Sequence, residues 1–342
     1  MTAATLRLAG LSAQYPWRLL IVNAGLLALV ALAVLSQLLG GTYPITLSDI
    51  SAALRGEADA ITHMVVLEHR LPRLMTALGV GLAFGIAGEL VQTLLRNPLA
   101  SPDIIGFSAG AASGAVLTVA LTGASTFVLP GALLGGIAAA ALILALAWKG
   151  GVRPGALIIM GIGVTLTLSV VTDLLMTRLD ATRASELVKW LVGTLSARSW
   201  NDAALIWGGL VLLTPLALVQ QFALARVSMD APVATGLGIA VDRTRLITLL
   251  LAIALVALCV ATAGPLPFVA FVAGPIAHGL NGRPRPTLFT AALVGALVTL
   301  AADAATQALP GIIILPAGVF TALIGAPVLL VVLLAQIRKG RQ

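Results

Sequence analysis

Long hydrophobic runs, broken by charges and by Pro/Gly clusters, set the pattern of this chain. Ten of them read as bilayer-crossing helices: 19–39, 71–95, 104–122, 127–148, 154–178, 203–221, 246–263, 266–281, 287–308 and 316–337. An even number places both termini on one face. Three polar segments interrupt the pattern. Residues 40–69 carry Asp49, Glu57, Asp59 and Glu68. Residues 179–202 hold the amphipathic stretch Glu186-Leu187-Val188-Lys189-Trp190-Leu191-Val192. That stretch predicts a short helix lying along the membrane surface, with Trp190 and Trp200 as interfacial anchors. Residues 222–245 form the longest loop of the opposite face. Irregular backbone is predicted at two places. One is Asn97-Pro98-Leu99-Ala100-Ser101-Pro102 and the small residues up to Gly114; the other runs from Gly264-Pro265-Leu266-Pro267 to Gly274-Pro275. Broken segments in comparable positions of two halves are a mark of transporters.

Composition narrows the class. The chain has 342 residues, of which 59% are hydrophobic and only 10% charged, against roughly a quarter charged in a soluble domain. A soluble enzyme, a disulfide scaffold and a disordered chain are excluded. No polar stretch is long enough for an aqueous domain, so residues 1–342 read as one all-α, polytopic membrane domain. The net charge of +7 reads as topology rather than nucleic-acid binding. With the N-terminus in the cytoplasm, thirteen basic residues lie inside: Arg7, Arg18, Arg96, Lys149, Arg153, Arg226, Arg243, Arg245, Arg283, Arg285, Arg338, Lys339 and Arg341. Seven lie outside: Arg55, Arg70, Arg73, Arg178, Arg183, Lys189 and Arg198. The bias predicts cytoplasmic termini. The run 19–39 is too long for a signal-peptide core and lacks a clear cleavage site, so it reads as a retained span.

Familiar catalytic chemistry is absent from the sequence. His63, His69 and His278 lack metal-ligand spacing, no HExxH or CxxC motif occurs, and no Ser/His pair is suggested by spacing. The lone Cys259 sits in an apolar run and reads as an inert thiol. None of the three lysines follows a glycine, so there is no Walker A loop; if ATP drives this protein, another subunit binds it. Glu89 is the odd intramembrane charge. It precedes Arg96 by seven residues, about 10 Å of helix, which predicts pairing or snorkelling at the inner face. A proton relay through Glu89 or Asp173 would instead mark a proton-driven secondary transporter. Asp173 and Asp303 read as interfacial, near outer helix ends.

Residues 70–114, RLPRLMTALGVGLAFGIAGELVQTLLRNPLASPDIIGFSAGAASG, resemble the signature of the iron-siderophore and cobalamin ABC importer permeases. Three further stretches match that family in order: Met229 to Ile239, Gly264-Pro265-x-x-Phe268-Val269-Ala270, and Leu315-Pro316-Ala317-Gly318-Val319. The resemblance covers about residues 15–340 and is nearest to the ferric-catecholate, enterobactin-type permeases. It implies the type II importer fold with ten spans in a dimeric pore, a heterodimer being favoured over a homodimer. It also implies two cytoplasmic ATPase subunits that bind ATP and magnesium, a substrate-binding protein above, and residence in the bacterial inner membrane. This chain itself would carry no cofactor, no metal and no catalytic residue. Cobalamin and heme are alternative cargoes.

The resemblance also implies roles for residues. Arg70 and Arg73 would dock carboxylates of the binding protein, a task suited to the guanidinium fork. The loop 222–245 would couple to the ATPase through Asp230, Ala231, Ala234, Leu237 and Gly238. Asp230 would cap a short helix there, and the small Ala231 and Ala234 would allow close approach. Thr165, Thr167, Ser169 and Thr172 of the fifth span would line the pathway; small and hydroxyl residues serve helix packing equally well. The sequence departs from the family at two places. Gln307 stands where relatives often carry arginine, and the segment ending Gly274-Pro275-Ile276-Ala277-His278 lacks the usual Pro-His and Ile-x-Arg.

Overall fold

The computed structural model describes residues 3–8, 11–228, 231–282, 287–308 and 315–339. A small antiparallel hairpin, β1 (Ala3–Leu8) and β2 (Leu11–Pro16), leads into an otherwise helical chain. α1 (Trp17–Leu39) is followed by the short α2 (Leu47–Arg55) and α3 (Ala60–His63). A π-helical stretch, Met64–Arg70, runs directly into α4 (Leu71–Leu95). Next come α5 (Phe107–Thr122), α6 (Val128–Ala147), α7 (Pro154–Met176) and the short α8 (Ala181–Val192). The chain continues through α9 (Trp200–Val227), α10 (Ala231–Gly236), α11 (Val241–Ala263), α12 (Val269–Asn281), α13 (Leu288–Ala308) and α14 (Ala317–Lys339).

All ten predicted spans are helices. Among the described residues, seven helical segments are long and apolar enough to cross a membrane; α5, α12 and the first part of α14 are shorter apolar helices. The 13 residues of α12 reach only about 20 Å, short of the roughly 30 Å hydrocarbon core. α9 extends beyond the predicted run at both ends. Ser199 and Asp202 form a capping box at its start. The loop 222–245 therefore consists of the end of α9, then α10, then the start of α11.

α4 is the centre of the bundle, wrapped by α13, α11, α9 and α12. Small residues permit this density. A Cβ at Gly85 would collide with the Ala291 carbonyl of α13, so only glycine lets those two backbones touch. By contrast α1, α7 and α9 keep broad apolar faces exposed. Such faces suit lipid or another subunit.

Both stretches predicted to be irregular are broken helices. Pro102–Ile105 is a single 3₁₀ turn, and Gly106 (φ 72°) redirects the chain into α5, which therefore starts at Phe107 rather than 104. Phe268 (φ 65°) does the same before α12. Both turns pack against other helices: Gly106 lies beside Ile143 of α6 and Thr165 in the middle of α7, and Phe268 packs on Gly325 within α14.

Candidate functional sites

Arg70 and Arg73 stand at the entrance of α4. Arg70 donates to the carbonyls of Leu38 and Tyr43, the latter at 2.6 Å. Arg73 forks onto Asp303 of α13, with Nη2–Oδ1 at 2.7 Å and Nε at 3.0 Å from both oxygens, and its Nη2 also donates to Thr306 Oγ1 at 3.0 Å. Asp303 is 0% exposed. This corrects its reading as an interfacial residue: sequence position near a helix end hid the fact that this end is covered by α4. Gln307 Nε2 donates to Asp303 Oδ2 at 3.0 Å and to Gln37 Oε1 at 3.3 Å. The side chain that replaces the familiar arginine thus completes the shell around Asp303. A cavity of about 250 Å³ opens beside Tyr43, His69, Arg70, Arg73 and Gln307. Both arginines border it, already holding acceptors from their own chain.

At the other end of α4, Glu89 is also 0% exposed. Its Oε1 lies 3.0 Å from His278 Nε2 of α12 and accepts the Thr287 backbone N–H at 3.0 Å. Arg96 is not its partner; it donates to the Val227 carbonyl at 2.6 Å from a left-handed C-cap. The expected pairing of Glu89 is present with a different residue. The unusual His278 of the departing segment is that residue. Among the described residues, Glu89 Oε2 and Gln92 Oε1 are buried without a hydrogen-bond partner, and both face Gly274.

In the coupling segment, Asp230 lies outside the described residues. α10 seats Ala234 inward at 0% exposure, while Val233 and Leu237 point out. Ala234 is packed against its own chain. Ala231 is half-buried, and Gly238 (φ 78°) turns the chain away after Leu237.

The four hydroxyls of α7 split two and two. Thr167 and Ser169 are exposed and back-bond to Gly163 and Thr165 carbonyls at 2.9 Å. Thr172 is buried, 2.7 Å from Ser113 Oγ of α5, and the Thr165 hydroxyl is buried beside Gly106. They do not form one lining. Asp173 is exposed near the end of α7. Cys259 is fully buried in α11.

Outside the spans, Arg198 donates to the Thr262 carbonyl at 2.7 Å, and burial lowers its pKa from the usual arginine range. It pins the strand after α8 to the end of α11. The Asp49 and Asp59 carboxyls, which cap α2 and α3, are held below the usual aspartate range by hydrogen bonds from Thr46 and Thr62.

Ten apolar helices around a glycine-packed centre, with two broken segments sunk among them, define a polytopic membrane permease. The chain belongs to the FecCD transport family, which it matches over residues 28–335. It is 38% identical to the ferric enterobactin transport system permease protein FepG of Escherichia coli over 327 residues, covering 94% of this chain and 98% of that one. It is 34% identical to the probable siderophore transport system permease protein YfhA of Bacillus subtilis, covering 91% and 92%. A solved structure of a metal-chelate type ABC transporter in an inward-facing conformation superposes with a TM-score of 0.81 at 26% identity, covering 92% of this chain and 99% of that one. The fold is that of type II ABC importer permeases.

Proposed function

We propose that this chain is the permease subunit of an ABC importer that carries an iron–siderophore complex across the bacterial cytoplasmic membrane. The observation that carries this reading is the end-to-end likeness to siderophore-system permeases together with the shared fold. The face bearing α10 is cytoplasmic, as are both termini. Two ATPase subunits, which bind ATP and magnesium, engage the exposed Val233 and Leu237 of α10. A second permease subunit, preferably a different chain, completes the pore. A substrate-binding protein docks at the opposite face near Arg70 and Arg73. Its carboxylates meet guanidinium groups already oriented by Tyr43 and Asp303, which lowers the ordering cost of docking. Closure of the ATPases rocks the helices so that the pathway opens to each side in turn.

The test is reconstitution of the full subunit set in liposomes with radiolabelled ferric chelates. ATP-dependent uptake is expected. Uptake of cobalamin or heme alone would transfer the cargo to those classes. Uptake driven by a proton gradient without ATPase subunits would overturn the importer reading.

A further inference from the structure

Two arginines flank α10, and each ends on a backbone carbonyl. Before α10, Arg96 at the end of α4 reaches the Val227 carbonyl at the end of α9, at 2.6 Å. After it, Arg245 of α11 donates from Nη1 to the Val152 carbonyl at 3.0 Å, and Asp242 Oδ1 lies 3.8 Å from the same nitrogen. Val152 belongs to the connection between α6 and α7 and is 1% exposed. It pairs with Trp148 in an isolated antiparallel bridge, which closes residues 149–151 into a tight loop. Within that loop Gly151 lies against the carboxylate of Asp242; a Cβ there would come 2.4 Å from Oδ1. The first turns of α11 thus hold the α6–α7 loop twice, by a charged hydrogen bond and by a close approach at glycine.

α9, α10 and α11 are braced as one piece. Gln220 Nε2 of α9 donates to the Thr244 carbonyl of α11 at 2.8 Å and to Thr248 Oγ1 at 3.2 Å. The Ile239 N–H returns to the Ala234 carbonyl at 3.0 Å, so the short link from α10 to α11 is tied down as well. A push on α10 is therefore handed to the start of α11 rather than absorbed in a slack loop. From there the two arginines lead to different places. Arg96 leads to α4, which is locked among its neighbours. Arg245 leads to the ends of α6 and α7, of which α7 keeps a broad face exposed. The element with room to follow is the one Arg245 holds.

We propose that Arg245 is a positioning residue of the transport cycle. It carries the displacement of α10 to the α6–α7 loop, so that the adjoining ends of both helices follow the ATPase subunits. The acceptor is a backbone carbonyl, and the donor is a guanidinium that keeps Asp242 beside it; both suit a link that must hold under load. The inference rests on the contact between α10 and the ATPase subunits proposed above.

Two measurements on the complete importer in liposomes test it. The first takes the ratio of radiolabelled ferric tricatecholate taken up to ATP hydrolysed. Arg245→Met keeps a long side chain but removes the donor. It should lower the ratio about fivefold, with thermal stability and the hydrolysis rate near those of the wild type, and Arg245→Lys should restore most of it. An unchanged ratio, or a fall that merely tracks lost thermal stability, overturns the proposal. The second places spin labels at Lys149→Cys in the α6–α7 loop and Ala240→Cys between α10 and α11. Both positions are exposed, in a chain whose sole native cysteine is buried. Their distance should be the same in nucleotide-free and vanadate-trapped wild type, and should differ between those states in Arg245→Met. A wild-type distance that changes on trapping overturns the link, and this arm needs no substitution at Arg245 should that variant fail to assemble. Equal distances in variant and wild type in both states overturn the role of Arg245. Val233→Asp with Leu237→Ser separates the two readings. If that pair leaves uptake per ATP unchanged, the α10 contact fails and takes this inference with it. If it lowers the ratio and Arg245→Met does not, the link alone fails.

Discussion

Two buried carboxylates hold α4, one near each end, and they are built differently. At the outer end, Asp303 receives an arginine fork and a glutamine amide, so both of its oxygens are served. At the inner end, Glu89 receives His278 and a backbone amide on one oxygen, and among the described residues its other oxygen has no hydrogen-bond partner. Arginine stays charged at any physiological pH, whereas histidine does not. The outer lock therefore rests on a guanidinium fork, and the inner one on an imidazole. Among the described residues, the outer carboxylate is thus held by more hydrogen bonds than the inner one.

The comparison can be broken in order of expected effect. Asp303→Ala strands the Arg73 guanidinium and should cost about 3–5 kcal/mol, read as a large loss of thermal stability in detergent. The double variant Arg73→Met, Asp303→Leu should recover most of that stability, since apolar replacement of a buried pair is often neutral. A double variant no better than the single one would remove the ion-pair explanation. Glu89→Gln keeps an acceptor for Thr287 and should cost only about 1–2 kcal/mol; an effect as large as that of Asp303→Ala would erase the distinction between the two ends. Val233→Asp with Leu237→Ser should leave stability within about 0.5 kcal/mol yet uncouple ATP hydrolysis from uptake. Ala234→Trp should instead lower stability, because that position has no room. Gln307→Arg should be the mildest, adding charge at the outer cavity and tightening docking of the binding protein at low salt by severalfold, with no gain at high salt.

The spans were legible because bilayer crossing imposes a length and an apolar content that any reader can count. The broken segments were legible for a similar reason: Pro98, Pro102, Gly264 and Pro265 forbid regular helix locally. The two locks were not. Arg73 and Asp303 are separated by 230 residues in sequence, and nothing in either neighbourhood announces the other. His278 looked like a departure from a pattern until α12 brought it to Glu89.

α1 offers a last consequence. It is mostly exposed and touches the core through polar straps: Arg18 Nε to the Leu280 carbonyl at 2.9 Å, Asn23 Oδ1 from Thr290 at 2.8 Å, and Gln37 Nε2 to the Leu300 carbonyl at 3.3 Å. They lie near its start, its first third and its end. Sliding α1 by one helical turn, about 5.4 Å, would break all three at once. α4 and α13, shielded by their neighbours, meet little lipid themselves. α1 is thus the gauge by which the buried bundle registers where the bilayer begins and ends.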